Sequence, residues 1–424
     1  MKLVSVGLSD LSVYAPRPRI SLSQLAARRI QENPDLEKHL HRALASTGQI
    51  SMRFPEIWED PITMASEALR KLLSGQLEHH LSGIRFLALG SETSVDMSKS
   101  GSNYVLGLLQ KAGFKLPSSL SSFQLQHACA GGSLAALTTL AYLQAAGNPN
   151  DSSIVLTSDI ARYATPSTAE VTQGAGACAL WLTQDPKVLT FDLKTAGFFS
   201  QDVDDFFRPL GSTTAKVRGG FSLSCYNESL LSAFLDHCVR AGIEPAAELR
   251  SIDIFALHVP YAKMPVGALE KLFALHLGFD SLQTREYLEE RGFFASLKPA
   301  SEIGNLYTGS LWLSLGYALK ERWVNLGPDL IGRKVLLASY GSGNTMAVWT
   351  GQVTPQALSV IPNWDFDTLL KQEPDSDWTT YLEWVSIEKN SQNYPELLKK
   401  KPAPAGAFRL ARLREDGYRE YDQA

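Results

Sequence analysis

Cysteine is scarce in this chain of 424 residues, which contains only four. So few cysteines in so long a chain exclude a fold held together by disulfides and favour a reducing compartment. A run of about 18 apolar residues, the length that spans a membrane, is also missing. Serines and an aspartate interrupt the apolar residues of the N-terminal segment, so we expect no secretory signal.

An excess of charge of one sign is missing too. The chain has 40 Lys and Arg against 44 Asp and Glu, for a net charge of −4. This balance argues against a nucleic-acid coat and against an obligate membrane-surface protein. The sequence has no CxxC or HExxH pattern, and its histidine spacing suits no metal site. We therefore expect a soluble, cytoplasmic protein without nucleic-acid, membrane or metal partners.

What the chain does have is enough apolar material for a large core, with 44% hydrophobic and 20% charged residues. Its length favours two or three units, or one large duplicated unit. Apolar runs bounded by turn residues alternate with segments of helical period, which predicts α/β layers. The predicted strands are Ile84–Gly90, Ile154–Thr157, Ala177–Leu182, Ile252–Leu257 and Val335–Ser339. The predicted helices are Ile62–Leu73, Gly131–Ala146 and Gly309–Trp323.

Three segments of the first half of the chain are similar to three of the second half, in the same order. The pairs are 81–94 with 249–262, 131–142 with 308–319, and 174–183 with 341–350, at offsets of 168, 177 and 167 residues. Two copies at so long a period indicate a duplication rather than a solenoid. We predict an N-terminal half over 1–187 and a C-terminal half over 188–424, which includes an extension from about residue 352. The tryptophans of this extension predict that it packs on the body of the protein.

Corresponding positions in the two halves are occupied by different types of polar residue. Glu92 follows a predicted strand of the first half, and His258 follows the matching strand of the second. Cys129 precedes a helix of the first half, near the point where the second half has Asn305. Ligands gather beyond the carboxyl ends of strands in open α/β sheets. A site shared by the two halves would bring these four residues together.

Cys129 stands in the segment HACAGGS, directly before an apolar helix. The positive end of a helix dipole lowers the pKa of a thiol and favours the thiolate. Gly131 and Gly132 allow close backbone approach, and neighbouring N–H groups can stabilise an oxyanion. The alternative is a small buried residue packed at a tight turn. The other three cysteines, Cys178, Cys225 and Cys238, are predicted to be core residues.

Each of the other candidate residues has a structural interpretation as well. Glu92 is a general acid/base if the end of its strand desolvates it, and otherwise a solvated carboxylate. His258 and His127 can be structural histidines, and Asn305 can be a helix cap. The segment GSGNT (341–345) follows a predicted strand and suits either a tight turn or a site of backbone donors.

Nine segments, in order along the chain, resemble the hydroxymethylglutaryl-CoA synthases, a family within the thiolase superfamily of condensing enzymes. They are EDPITMA (59–65), GSETSVDMSKS (90–100), HACAGG (127–132), SDIARYA (158–164), TQGAGA (172–177), VDDFFRP (203–209), HVPYAKM (258–264), GNLYTGSLWLSL (304–315) and SYGSGNT (339–345). The resemblance runs over the whole chain. It implies a thiolase-like α/β fold of five layers, αβαβα, built from two similar halves, and a homodimer.

The resemblance also implies a reaction and the residues that carry it. Cys129 would be the nucleophile that accepts an acetyl group, Glu92 the general acid/base, and His258 the residue that orients the acetoacetyl thioester. The substrates would be acetyl-CoA and acetoacetyl-CoA, with no further cofactor. The implied substrate-binding residues are Tyr163, Asn305, Gly341 and Ser342 at the acyl pocket and Lys263 at the pantetheine or phosphate end of CoA.

Two alternatives remain open from the sequence. Ala130, Val171 and Arg218 depart from the residues that are common in the family, which leaves the acyl carrier undecided. The first alternative is a β-branching synthase of a polyketide pathway, which acts on thioesters of an acyl-carrier protein. The second is a non-catalytic, thioester-binding partner subunit.

Overall fold

Strands and helices alternate along most of the chain in the computed structural model, which describes residues 4–424 apart from 75, 77, 372–373 and 387–393. The strands are β1 (Val6–Tyr14), β2 (Arg19–Ser21), β3 (Ser51–Arg53), β4 (Ile84–Gly90), β5 (Ser121–Leu125), β6 (Ser152–Ala161), β7 (Gly174–Gln184), β8 (Leu189–Ser200), β9 (Phe206–Phe207), β10 (Lys216–Val217), β11 (Ile254–Leu257), β12 (Lys334–Gly341), β13 (Thr345–Val353), β14 (Phe408–Leu413) and β15 (Arg419–Gln423).

The α-helices of the described residues complete the element order. They are α1 (Leu22–Glu32), α2 (Glu37–Thr47), α3 (Pro61–Leu73), α4 (Glu78–Ser82), α5 (Gly101–Lys111), α6 (Gly131–Ala146), α7 (Gly219–Ala241), α8 (Pro245–Ser251), α9 (Lys263–Leu277), α10 (Ser281–Glu290), α11 (Phe293–Ser296), α12 (Lys298–Ile303), α13 (Ser310–Leu326), α14 (Ala357–Val360), α15 (Phe366–Leu370), α16 (Trp378–Ser386) and α17 (Tyr394–Lys400). Within the described residues, no helix is both long and apolar enough to cross a membrane.

The main sheet repeats one topology twice. Its strand order is β11-β12-β13-β8-β1-β7-β6-β4-β5. On one side, β1 pairs antiparallel with β7, β7 pairs antiparallel with β6, and β6 pairs parallel with β4. On the other side, β8 pairs antiparallel with β13, β13 pairs antiparallel with β12, and β12 pairs parallel with β11. The two copies meet where β1 pairs with β8. This repeat agrees with a duplication, while the boundary between residues 187 and 188 stays a prediction.

Successive side chains of the central strands lie on opposite faces of the sheet and therefore pack in different cores. On β6, Ile154 and Leu156 join a core with α3, whereas Val155 joins a core with α6 and α13. On β12, Leu337 joins that same middle core, whereas Leu336 joins a third core with α7 and α9. Helices therefore cover both faces of each half-sheet, and α6 and α13 lie in the middle layer. This is the predicted five-layer αβαβα arrangement.

The middle layer explains the composition of its helices. Ten consecutive residues of α13, Ser310–Leu319, are buried on every side of the helix. Between the two half-sheets this stretch has no face toward water, so it is not amphipathic. The sequence-predicted bounds Ile84–Gly90 and Gly131–Ala146 coincide with β4 and α6. The other predicted strands and helices overlap the observed elements.

The C-terminal extension packs on the body, as its aromatic residues predicted. Trp364 and Trp384 are buried, and Trp364 Nε1 donates to Asp10 Oδ1 over 2.9 Å. Tyr381 is fully buried and donates to Glu170 Oε1 over 2.8 Å. Glu170 in turn pairs with Arg29 through a bond of 2.6 Å. A buried ion pair and an aromatic cluster thus hold the extension against the N-terminal half.

Candidate active site

Cys129 lies in a sharp turn between β5 and the start of α6. Ala128, just before it, has a φ of 38°, and such left-handed backbone costs an alanine about 1–3 kcal/mol. Ala130 N donates to His127 O over 3.0 Å, which closes the turn. The Cys129 side chain is buried and packs with Ala161 and Tyr307. The turn therefore holds the thiol in the interior of the protein.

Glu92 meets this thiol directly. It follows β4 by two residues, and β4 runs parallel to β5, so the segments after the two strands begin at the same edge of the sheet. Cys129 Sγ donates to Glu92 Oε2 over 3.6 Å. Glu92 is buried, so the alternative of a solvated carboxylate is wrong. The structure brings together two of the predicted site residues.

The pKa of the Glu92 carboxyl group is raised to about 7. Burial is the largest cause, because it disfavours the anion. The Arg208 guanidinium opposes this shift by favouring the anion, and the nearby Asp159 carboxyl group adds to it. A carboxyl group with a pKa close to neutrality can both accept and donate a proton under physiological conditions.

Burial raises the pKa of the Cys129 thiol well above its usual value, and the Glu92 and Asp159 carboxylates raise it further. The prediction of a lowered pKa at the start of a helix is therefore wrong. Desolvation and two neighbouring carboxyl groups disfavour the thiolate at this position. The thiol is protonated at neutral pH, and Glu92 is within reach of its proton.

Glycines allow three backbone segments to converge at this turn. A Cβ on Gly90 would lie 2.2 Å from Gly132 N, so the end of β4 touches the start of α6. A Cβ on Gly341 would lie 2.6 Å from His127 O and 2.8 Å from Ala130 Cβ. Gly341 is the last residue of β12, in the C-terminal half. Its close approach brings the end of that strand against the turn that carries Cys129.

His258 is hydrogen-bonded to this same strand, β12. It follows β11, and its backbone N–H donates to Ala338 O of β12 over 2.8 Å. The side chain is buried, and burial lowers its pKa to about 3. The imidazole is therefore neutral at physiological pH and can donate one hydrogen bond and accept another. Tyr226 holds the backbone by donating to His258 O over 2.9 Å.

The remaining predicted residues occupy different places. Asn305 is buried, and its Oδ1 accepts from Tyr307 N over 2.8 Å and from Ser310 Oγ over 3.0 Å. These bonds hold the turn that leads into α13, but the interpretation of Asn305 as a helix cap is wrong, because the N-cap residues of the short helical turn Tyr307–Gly309 and of α13 are Leu306 and Gly309. Tyr163 is buried, with its ring 6.4 Å from that of Phe206.

Lys263 is exposed at the start of α9 and donates to Ala45 O over 2.7 Å. Ser342 follows β12 directly.

Asp159, in the segment SDIARYA (158–164), is a central residue for which the sequence predicted no role. It is fully buried on β6. Its Oδ1 accepts from Ser91 Oγ, Glu92 N and the N–H and hydroxyl of Thr93. Its Oδ2 accepts from the N–H and hydroxyl of Thr308. Asp159 therefore holds the segment with Glu92 against the start of α13. A buried aspartate within an apolar strand needs such partners, and this was the available signal.

We expect Asp159→Asn to destabilise the protein, because an amide has one acceptor oxygen where this site requires two. Each buried donor left unsatisfied costs about 1–3 kcal/mol, and the amide N–H groups would face the Thr308 donors or the Glu92 segment. Thermal unfolding of the variant and of Asp192→Asn measures the effect, since Asp192 is exposed on β8. Equal melting temperatures for the two variants would contradict this role.

Arg208 is the second residue without a predicted role. Its Nη2 donates to Glu92 Oε1 over 2.9 Å, and its Nη1 donates to Glu92 O over 2.6 Å. It follows β9, which pairs with β10 in a short antiparallel hairpin. Arginine in the aromatic segment DFFRP was the only local signal, because a charged group among apolar residues requires a partner.

Comparisons with known proteins show which family the chain is similar to. Residues 4–187 match the family model described as hydroxymethylglutaryl-coenzyme A synthase N terminal. The chain is 30% identical over 350 residues to the hydroxymethylglutaryl-CoA synthase of Enterococcus faecalis, covering 82% of this chain and 83% of that one. It is 24% identical over 372 residues to the polyketide biosynthesis 3-hydroxy-3-methylglutaryl-ACP synthase PksG of Bacillus subtilis, covering 84% and 81%.

A solved structure of MvaS in complex with 3-hydroxy-3-methylglutaryl coenzyme A superposes with a TM-score of 0.85. The sequence identity is 28%, and the match covers all of both chains. This agreement extends over both halves of the fold and the C-terminal extension.

Proposed function

The chain belongs to the hydroxymethylglutaryl-CoA synthase family, and we propose that it condenses acetyl-CoA with acetoacetyl-CoA through an acetyl-Cys129 intermediate. The products are 3-hydroxy-3-methylglutaryl-CoA and free CoA, and one water is consumed. The observation that carries the proposal is the buried contact of 3.6 Å between the Cys129 thiol and the Glu92 carboxyl group. It joins a nucleophile to an acid/base in one pocket.

In the first step, the Cys129 thiol loses its proton to Glu92, and the thiolate attacks the thioester carbonyl of acetyl-CoA. CoA leaves as a thiolate and takes up a proton, which leaves an acetyl group on Cys129. The raised pKa of the thiol means that a base must remove this proton. Glu92, with a pKa of about 7, is ionised in a large fraction of molecules at neutral pH.

In the second step, the acetyl methyl group loses a proton, and its carbon attacks the ketone of acetoacetyl-CoA. The new alkoxide gains a proton, and water then hydrolyses the thioester to Cys129. Glu92 supplies or removes these protons in the proposal. His258 is neutral and buried, so its N–H can donate to the acetoacetyl thioester without introducing a charge that competes with the carboxyl group.

The oligomeric state, cellular location, pathway and acyl carrier are also part of the proposal. We propose a homodimer that acts in the cytoplasm, in the mevalonate pathway of isoprenoid biosynthesis, with CoA thioesters as substrates and no cofactor. The strand β5 supports the dimer, because it forms one edge of the main sheet and an edge strand has backbone groups available for pairing with a second chain. The name of the Enterococcus faecalis relative supports CoA as the carrier.

The direct test incubates the purified protein with acetyl-CoA and acetoacetyl-CoA and measures the product by mass spectrometry. A parallel reaction replaces CoA with a phosphopantetheinylated acyl-carrier protein. Product from the CoA thioesters supports the proposal, whereas product from the carrier protein alone supports the β-branching synthase. If the protein binds thioesters but forms neither product nor acetyl-enzyme, it is a non-catalytic partner and the proposal fails.

Lys263 provides a test of the CoA-binding end of the site. Its Nζ donates to Ala45 O over 2.7 Å and would exchange this bond for a CoA phosphate. We expect Lys263→Ala to raise the KM for acetyl-CoA about two- to fivefold, the range of an exposed ion pair, with little change in kcat. The effect should shrink as salt rises.

The matched control for this variant is Lys271→Ala, an exposed lysine further along α9. It should leave KM unchanged. A fall in kcat at constant KM for Lys263→Ala would contradict a role in binding.

A further inference from the structure

Arg208 contacts Glu92 at two points at once. One guanidinium nitrogen binds the carboxylate oxygen Oε1, and the other binds the backbone carbonyl of the same residue. Both side chains are largely buried, with 13% of Arg208 and 4% of Glu92 exposed. A guanidinium bound at two points fixes both the position and the rotation of its partner. The other carboxylate oxygen, Oε2, accepts from Cys129 Sγ.

The segment that carries Arg208 is itself anchored. Asp205, three residues earlier, accepts from Gly343 N and from the Tyr340 hydroxyl, each over 2.8 Å. Arg218 N donates to Asp205 O, and Ala215 N donates to Arg162 O. The hairpin of β9 and β10 is thus bound both to the segment after β12 and to the segment after β6. Arg208 reaches Glu92 from a rigid support.

We propose that Arg208 is a positioning residue that holds Glu92 by Oε1 and by its backbone carbonyl, so that Oε2 alone exchanges a proton with Cys129 and the substrate. This role rests on the proposed function. Without Arg208, the carboxyl group could rotate, and a proton could reside on either oxygen. With it, the anionic form of the pair is stabilised, and the basic oxygen points at the nucleophile.

The charge of Arg208 supports this role, because it opposes the burial of Glu92 and favours its anion. It also favours the thiolate of Cys129. An opposite charge within about 4–6 Å shifts a carboxyl pKa by about 1–3 units. Removal of Arg208 should therefore raise the pKa of Glu92 and delay its ionisation to higher pH. The titratable or charged groups that act on Glu92, or on which it acts, are Cys129, Asp159, Tyr163, Arg208 and Tyr307.

The test compares Arg208→Met, Arg208→Lys and the parent protein. We expect the rising limb of the pH profile of kcat/KM to move up by about 1–3 pH units in Arg208→Met. Arg208→Lys, which keeps the charge, should recover at least part of this shift. The matched control is Arg218→Met, because Arg218 is exposed, lies just after β10 and pairs with Asp204 rather than with Glu92. It should leave the profile unchanged.

A second measurement does not depend on the reaction. The rate of Cys129 alkylation by iodoacetamide, followed by peptide mass against pH, reports the protonation of the Cys129–Glu92 pair. At pH 7 it should fall about tenfold or more in Arg208→Met, because one unit of pKa is a factor of ten. Should Arg208→Met not fold, Arg208→Gln serves the same comparison, since it keeps hydrogen-bond donors without the charge.

The two measurements separate the two proposals. If the parent protein forms no acetyl-enzyme, the proposed function fails, while the alkylation profile still decides the role of Arg208. If Arg208→Met has the same activity and alkylation profiles as the parent and only a lower melting temperature, Arg208 is a structural ion pair and the inference is overturned. The same holds if Arg218→Met shifts the profiles as far as Arg208→Met does.

Discussion

Cys129→Ser is expected to abolish acetyl-enzyme formation while leaving the fold intact. The hydroxyl group is smaller than the thiol and far less acidic, and it would stand in the same buried pocket beside two carboxyl groups. The serine hydroxyl group would not ionise at neutral pH, whereas Glu92 can deprotonate the thiol. Loss of a catalytic nucleophile can lower kcat by a factor on the order of 10⁶. The loss should therefore be complete in an ordinary assay.

The measurement is the label on the peptide that contains Cys129 after incubation with radiolabelled acetyl-CoA. Cys225→Ser is the control, because Cys225 lies on α7 in another core, and it should keep the label. Unchanged circular dichroism of Cys129→Ser shows that the fold persists. Label on Cys178, Cys225 or Cys238 of the parent protein would contradict the assignment of the nucleophile.

Glu92→Ala is expected to separate the two half-reactions. Glu92 is the base for the Cys129 thiol in the proposed first step, so acetylation should become slower in this variant. Its carboxylate is also one cause of the raised pKa of that thiol, and Arg208, which stays in place, favours the thiolate. The proton can then pass to water or buffer, and acetyl-enzyme should still accumulate. Carbon–carbon bond formation needs a group that takes a proton from the methyl and gives one to the alkoxide. Loss of a positioned acid/base costs about 10²–10⁴ in rate, so almost no hydroxymethylglutaryl product should form.

Acetyl-enzyme is measured by mass spectrometry and condensation by the loss of acetoacetyl-CoA absorbance, both in one preparation. Glu92→Gln is the variant matched in shape, since it can still accept from Arg208 but cannot titrate. It should resemble Glu92→Ala in condensation. Condensation at nearly the parent rate in either variant would mean that Glu92 is not the acid/base of this reaction.

Local patterns were enough to predict much of the fold. The apolar runs at 84–90 and 131–146 coincide with β4 and α6. For β4, which pairs in parallel with a strand on each side, a continuous apolar run is the expected signature. The similar segments of the two halves also predicted the repeated topology. The strands β1 and β8 were not predicted as strands. Polar residues interrupt both of them, in VGLSDLSVY and LTFDLKTAGFFS, so their apolar runs are short.

The sequence by itself also identified Cys129 as a candidate nucleophile and Glu92 as a candidate acid/base, each with a structural alternative. Cys129 precedes a glycine pair and an apolar helix, and Glu92 directly follows an apolar strand, so each was visible within a few residues. Only the tertiary structure decided their electrostatics. The partner Arg208 is 116 residues from Glu92 along the chain, and Thr308 is 149 residues from Asp159. The pKa of a buried group depends on desolvation and on charges a few ångströms away. Those neighbours come from distant segments, which the fold alone brings together.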